Sequence, residues 1–114
     1  MKETIGIRLT EILSRHVDFY LAEAETEDYP YAVYSSDITP VYSKDGIHHY
    51  QAIVTITVYA KDLDAVNPIC DNIKSSIDDA MMQNGYAARL TRDTPDCFEG
   101  IWSRALDYTI NQYQ

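Results

Sequence analysis

The sequence predicts an α+β domain in the order α-β-β-α-β-β, a four-stranded, mainly antiparallel sheet with two helices packed on one face. Three observations carry that prediction. The stretch QAIVTITVYAKDLDAVNPICDNIKSSI, residues 51–77, changes its apolar spacing from alternation to a helical period partway along, as a strand running into a helix does. A second stripe of helical spacing opens the chain, and two strand-like stretches flanking a turn-rich segment close it. Each strand pair has a short connection and so reads as an antiparallel hairpin, and two helices on one side of the sheet bury all the apolar stripes.

Taken in order, Ile5, Leu9, Ile12, Leu13 and Val17 recur at helical spacing and predict an amphipathic helix from about residue 3 to 20, with Glu11, Arg15 and Asp18 on its polar face. EAETEDYP, residues 23–30, gathers four acids and a proline and reads as an exposed acidic loop. YAVYSS is the first strand, and Pro40 with the KDG at 44–46 marks the turn region before the second. In that second strand Tyr50, Ala52, Val54, Ile56, Val58 and Ala60 share the core face, while Gln51, Ile53, Thr55, Thr57 and Tyr59 share the other. Val66, Ile69, Cys70, Ile73, Ile77 and Met81 then line a second helix. Pro68 is tolerable only in a first turn, which puts the helix cap at Asp64 or Asn67, and Asn84-Gly85 closes the helix. YAARLTRD and IWSRALDYTINQY flank the turn-rich TPDCFEG, with Trp102, Leu106, Tyr108 and Ile110 on one parity of the last strand.

Composition bounds the function. At 114 residues, with 46% hydrophobic and 11% aromatic, the chain fits one domain spanning 1–114 with an ample core. The net charge of −9 divides evenly, nine acids in each half, with no Lys/Arg cluster to neutralise several phosphates. That argues against sequence-specific or other ordinary nucleic-acid binding and against anionic membrane surfaces. Charges run through MKETIGIRLTEILSRH where a signal peptide would be apolar, so the sequence predicts no targeting segment, no membrane span and a cytosolic protein.

Candidate chemistry is thin. His48-His49 precedes the long strand, where adjacent side chains point to opposite faces and do not easily share a metal. His16 and Asp18, two apart on the predicted helix, do not face each other, and His16 reads as a surface residue. Cys70 lies on an apolar stripe and reads as a buried thiol; with Cys97 it makes neither a disulfide framework nor a metal site. G-x-S-x-G, H-E-x-x-H and glycine-rich phosphate loops are absent from the sequence. The reading is of a protein that is not an enzyme and uses no cofactor. Tyr29, Tyr31, Tyr34, Tyr42 and Tyr50 cluster around the first hairpin, where a ring with a polar tip suits either the rim of a core or a protein interface.

YPYAVYSSDITP, the KDG turn and YQAIVTITVYAKDLDAVNPICDNIKSSID together resemble the small tail-completion or tail-terminator proteins of long-tailed bacteriophages and prophages, over about residues 29–80. The resemblance implies a structural subunit that assembles into a ring, commonly of six copies, caps the head-proximal end of the tail tube and joins it to the head. Its implied partners are itself, the tail-tube protein and a head-tail connector protein; its implied location is the virion tail, reached from the host cytoplasm. On this reading Tyr31, Tyr34, Tyr42, Ile53, Thr55, Thr57 and Tyr59 are candidate interface residues. Glu23, Glu25, Glu27 and Asp28 are candidate channel-facing acids that would repel passing DNA, and Asp93, Asp96 and Glu99 are a second candidate set. The alternative is a small soluble α+β binding or regulatory module that dimerises through its sheet.

Overall fold

A computed structural model describes residues 9–21, 29–83 and 86–113. Helix α1 covers residues 9–14 and is followed by strands β1 (Asp18–Leu21), β2 (Tyr31–Ser43) and β3 (Gly46–Ala60). Helix α2 (Leu63–Gln83) and strands β4 (Tyr86–Phe98) and β5 (Ile101–Tyr113) complete the described chain. The class is α+β; the described residues form two helices and a five-stranded, mixed sheet in the order β1-β2-β3-β5-β4, in place of the four-stranded sheet expected. β1 lies parallel to β2, and every other neighbouring pair is antiparallel.

The alternation along β3 places it in the middle of the sheet. Ala52, Val54, Ile56, Val58 and Ala60 are fully or almost fully buried, as are Ala32 and Tyr34 of β2 and Leu106, Tyr108 and Ile110 of β5. Leu9, Ile12 and Leu13 of α1 and Val66, Cys70, Ile73 and Ile77 of α2 join them in one cluster, so both helices serve the same face of the sheet. The stripes read from the sequence meet there.

Four boundaries differ from the sequence expectation. The first helix does not reach residue 20. Arg15 and His16 donate three-residue bonds to Ile12 and Leu13, the Val17 N–H donates to the Leu13 carbonyl at 3.0 Å, and from Asp18 the chain becomes β1. Val17 continues the helical spacing, but Phe19 packs on the core only as a strand residue beside Ala32. The second helix begins earlier than expected. Its cap is Asp62, whose Oδ1 accepts the Ala65 N–H at 2.8 Å, and not Asp64 or Asn67. Pro68 therefore sits inside α2; Asp64 and Pro68 are both exposed, which leaves the carbonyl that proline cannot serve to water.

Both hairpins are longer, and their turns tighter, than expected. β2 continues through Pro40 to Ser43, leaving Lys44-Asp45 as the turn, with Gly46 at φ 117° where a side chain would be strained. TPDC is strand and not turn: β4 runs through Pro95 to Phe98, and Glu99-Gly100, at φ 52° and 80°, makes the reversal. Both prolines are compatible with strand because they lie on free edges. β4 is the outer strand, and β2 is covered by β1 only from Tyr31 to Tyr34. Asn84-Gly85 lies outside the described residues.

A bulge decides what β4 presents. Leu90 pairs with Tyr108 and Arg92 with Asp107, so Thr91 is the extra residue, its Oγ1 donating to the Asp107 carbonyl at 3.1 Å. Before it Ala88 and Leu90 share the helix-side face with Ile110 and Tyr108. After it the parity flips, and Asp93 and Pro95 share that face with Leu106 and Arg104.

Candidate functional site

Two features stand out: an ionic cluster under α2 and the face of the sheet opposite the helices. The cluster centres on Arg104, at an inward position of β5 between Trp102 and Leu106. Its guanidinium grips Asp93 with two bonds, Nε to Oδ1 at 2.5 Å and Nη2 to Oδ2 at 2.6 Å. Nη1 donates to Asp71 and Asn67 of α2 at 3.2 and 3.3 Å, and Lys74 Nζ donates to Asp93 Oδ2 at 2.8 Å. The hydrogen bonds from Arg104 hold the Asp93 carboxyl down to about 2, against a smaller opposing effect of burial, and Lys74 reinforces them. Asp93 in turn raises the Arg104 guanidinium above its already high value.

Asn67, Asp71, Asp93 and Arg104, with Leu63 and Pro95, line a cleft of about 370 Å³. The cluster's two cations, Arg104 and Lys74, meet the carboxylates of Asp71 and Asp93 at bonding distance, so the positive charge is already matched. The arrangement clamps α2 to β4 and β5. Sequence reasoning missed it because the bulge at Thr91 is what brings Asp93 inward. The readable signal was Arg104 itself, a charged residue on the apolar parity of the last strand.

Among the described residues no helix flanks the opposite face. Ile53, near its middle, is 57% exposed. At one end an aromatic band crosses the strands: Tyr31 stacks on Tyr59 at 5.1 Å between ring centroids, tilts against Tyr29 at 5.3 Å and meets Tyr20 edge-on at 6.1 Å. A cleft of about 320 Å³ lies beside the band, lined by Tyr29, Tyr31, Tyr59, Phe98, Glu99, Ile101 and Ser103. Phe98 at its rim is 74% exposed.

The structure divides the candidate interface residues. Tyr31, Ile53, Thr55, Thr57 and Tyr59 all lie on the open face, by their cross-strand pairing. Tyr34 does not. It pairs with Ile56, shares its face and is 3% exposed, a core residue despite its place among the tyrosines. Tyr42 is 69% exposed at the far end of the β2–β3 hairpin, beyond a register shift and away from the band. Glu23, Glu25, Glu27 and Asp28 lie outside the described residues. The second acidic set is scattered: Asp93 is locked to Arg104, Asp96 lies on β4 and Glu99 in the turn.

The remaining chemistry-bearing residues have structural settings. His16 is half-buried, not a free surface residue, and its Nε2 shares a 2.8 Å hydrogen bond with Ser76 Oγ that ties the end of α1 to α2. Cys70 is fully buried, and burial pushes its thiol up to about 12; Cys97 is exposed. Among the described residues no group of three His, Cys, Asp or Glu side chains is placed to hold a metal ion, and no helix is long and apolar enough to cross a membrane. A scan against protein-family models and a search of curated proteins found no match to the chain.

Proposed function

We propose that the chain is a structural assembly subunit of a phage or prophage tail, forming a ring that terminates the tail tube and joins it to the head. The observation that supports this reading is the open sheet face. A solvated face of an antiparallel sheet is usually polar, whereas this one carries a half-exposed isoleucine at its middle and an aromatic band at one end, as a surface meant for protein does. Residues 29–80, which resemble the tail-terminator proteins, supply β2 and β3, two of the five strands behind that face. On this proposal the partners are further copies of the chain, the tail-tube protein and a head-tail connector protein. The chain works without catalysis, cofactor, membrane or sequence-specific nucleic acid, and it passes from the host cytoplasm to the virion tail.

Mass measurement in solution and negative-stain imaging, alone and with tail-tube protein, test the proposal. Closed rings or capped tube ends are expected; a chain that forms no ring and leaves tube ends bare overturns it. The alternative, a binding or regulatory module that dimerises through its sheet, is favoured by the aromatic-lined cleft of about 320 Å³, a size suited to a small ligand. That module would stop at two copies and leave tubes untouched.

A further inference from the structure

The open face is self-complementary, and we propose that two copies of this chain pack face to face across it, about a two-fold axis that runs parallel to the strands between β3 and β5. The inference rests on the reading that copies of this chain meet through this face, and adds which residues meet.

One row across the sheet carries it. Asp37 of β2 pairs with Ile53 of β3, Ile53 with Thr109 of β5, and Thr109 with Arg89 of β4. Paired residues share a face, so all four project from the side away from the helices. Asp37 and Arg89 are exposed, and Ile53 is 57% exposed between them. Three strand spacings of about 4.8 Å separate Asp37 from Arg89, about 14 Å in all, too far for an ion pair within one chain. Among the described residues neither makes one.

A two-fold axis along the strands reverses the strand order while keeping each row level. It lays Asp37 on the partner's Arg89, Arg89 on the partner's Asp37, and Ile53 on Thr109 of the partner subunit. The neighbouring rows agree. In the row Tyr31, Tyr59, Ser103, Asp96 the Tyr31 hydroxyl comes to face the carboxylate of the partner's Asp96. In the row Ser35, Thr55, Asp107, Arg92 the Thr55 hydroxyl faces the partner's Asp107, and Ser35 faces the partner's Arg92. Between these two rows Thr57 and Ala105 pair with each other and keep that part of the face low, which suits two sheets stacked about 10 Å apart.

Size and edges point the same way. Four strands of about 13 residues present about 19 by 44 Å, or about 840 Å² per copy, close to the ~800 Å² each partner gives a standard stable interface. The free edges are poorer meeting places. Pro95 and the Thr91 bulge interrupt the β4 edge, and Pro40 with the shift at Val41/Tyr42 interrupts that of β2, so an incoming strand finds a broken ladder on either side. The proposed contact closes at two copies; a ring needs a second, head-to-tail contact beside it.

Sedimentation equilibrium of the full chain tests the pairing. The wild type is expected to dimerise, and each of Asp37→Arg and Arg89→Asp to raise the dimer dissociation constant by about tenfold or more, because each puts like charges together twice per dimer. The double variant Asp37→Arg/Arg89→Asp is expected to return to within about threefold of wild type, and Ile53→Arg to be monomeric with unchanged far-UV circular dichroism. A wild type monomeric at millimolar concentration, or single variants that dimerise normally, or a double variant no tighter than the singles, overturns the pairing. Rings that assemble regardless of all four variants overturn it while leaving the tail reading intact. A dimer that follows the expected pattern but never engages tail-tube protein supports the pairing and removes the tail reading.

Discussion

Replacing Asp93 by asparagine removes a charge and leaves the shape, which makes it a direct probe of the clamp under α2. Asp93 is 21% exposed and Arg104 12%, so their attraction is only partly screened. Arg104 and Lys74 bring the Asp93 carboxyl from 3.8 to about 2. At about 1.4 kcal/mol per pKa unit that is about 2.5 kcal/mol of folding free energy at neutral pH. Because the folded-state value is depressed, the stabilisation is fully present above the unfolded value near 4 and is lost as pH falls through about 2. With a urea slope of about 1.5 kcal/mol/M for a domain of this size, Asp93→Asn is expected to lower the unfolding midpoint by about 1.7 M at pH 7. The gap from wild type should narrow steadily between pH 4 and pH 2. Asp79→Asn, on an exposed turn of α2, controls for bulk charge and should shift the midpoint little. A gap below about 0.5 kcal/mol at pH 7, or one that persists undiminished at pH 2, refutes the assignment of the clamp's energy to this carboxylate.

Ile56 is fully buried against both helices' cluster, so Ile56→Asp is expected to unfold the domain, whereas Thr55→Asp leaves the monomer folded; equal losses in thermal unfolding would contradict the β3 parity. Glu99 holds φ 52° in a turn whose two residues are both left-handed, so Glu99→Asn is expected to stabilise by about 0.5 kcal/mol in urea unfolding, and a loss would contradict the turn geometry. One thiol, Cys97, is expected to react promptly with a maleimide in the native state, with Cys70 following only on unfolding; simultaneous labelling of both contradicts the core assignment. With charge −9 and no basic cluster, the chain is expected to show no salt-sensitive binding to labelled duplex DNA at low salt, and a micromolar complex would contradict that.

The parts of the fold legible in the sequence are those where one period persists. The even residues from Ala52 to Ala60 and the stripe Val66, Cys70, Ile73, Ile77 declared their faces because burial is one-sided and each period is unbroken. The parts that were not legible are those decided by distant pairing. Val17 fits a helix as well as a strand, and what makes residues 18–21 a strand is β2, more than ten residues away. Pro95 looks like a turn until β4 is known to be an edge. Residue type groups Tyr34 with the neighbouring tyrosines, although its parity matches Ile56 across the ladder. The clamp needed two such facts at once, a charged residue at an inward position and a bulge that turns its partner toward it.

The single extra residue at Thr91 makes β4 a strand with two reading frames. Up to Leu90 the even positions meet the helices; from Arg92 onward the odd ones do. Were the bulge flattened with Thr91 kept in the ladder, Thr91 would take the place opposite Asp107, Arg92 would swing under α2 to confront Arg104 in place of its counter-ion, and Asp93 would turn to the far side. The downstream sequence would be intact and yet wrong at every position. Loss of Thr91 itself would leave the same pairs in a regular ladder, so what keeps Asp93 under α2 is the bulge that absorbs this residue and not its side chain, an exposed threonine.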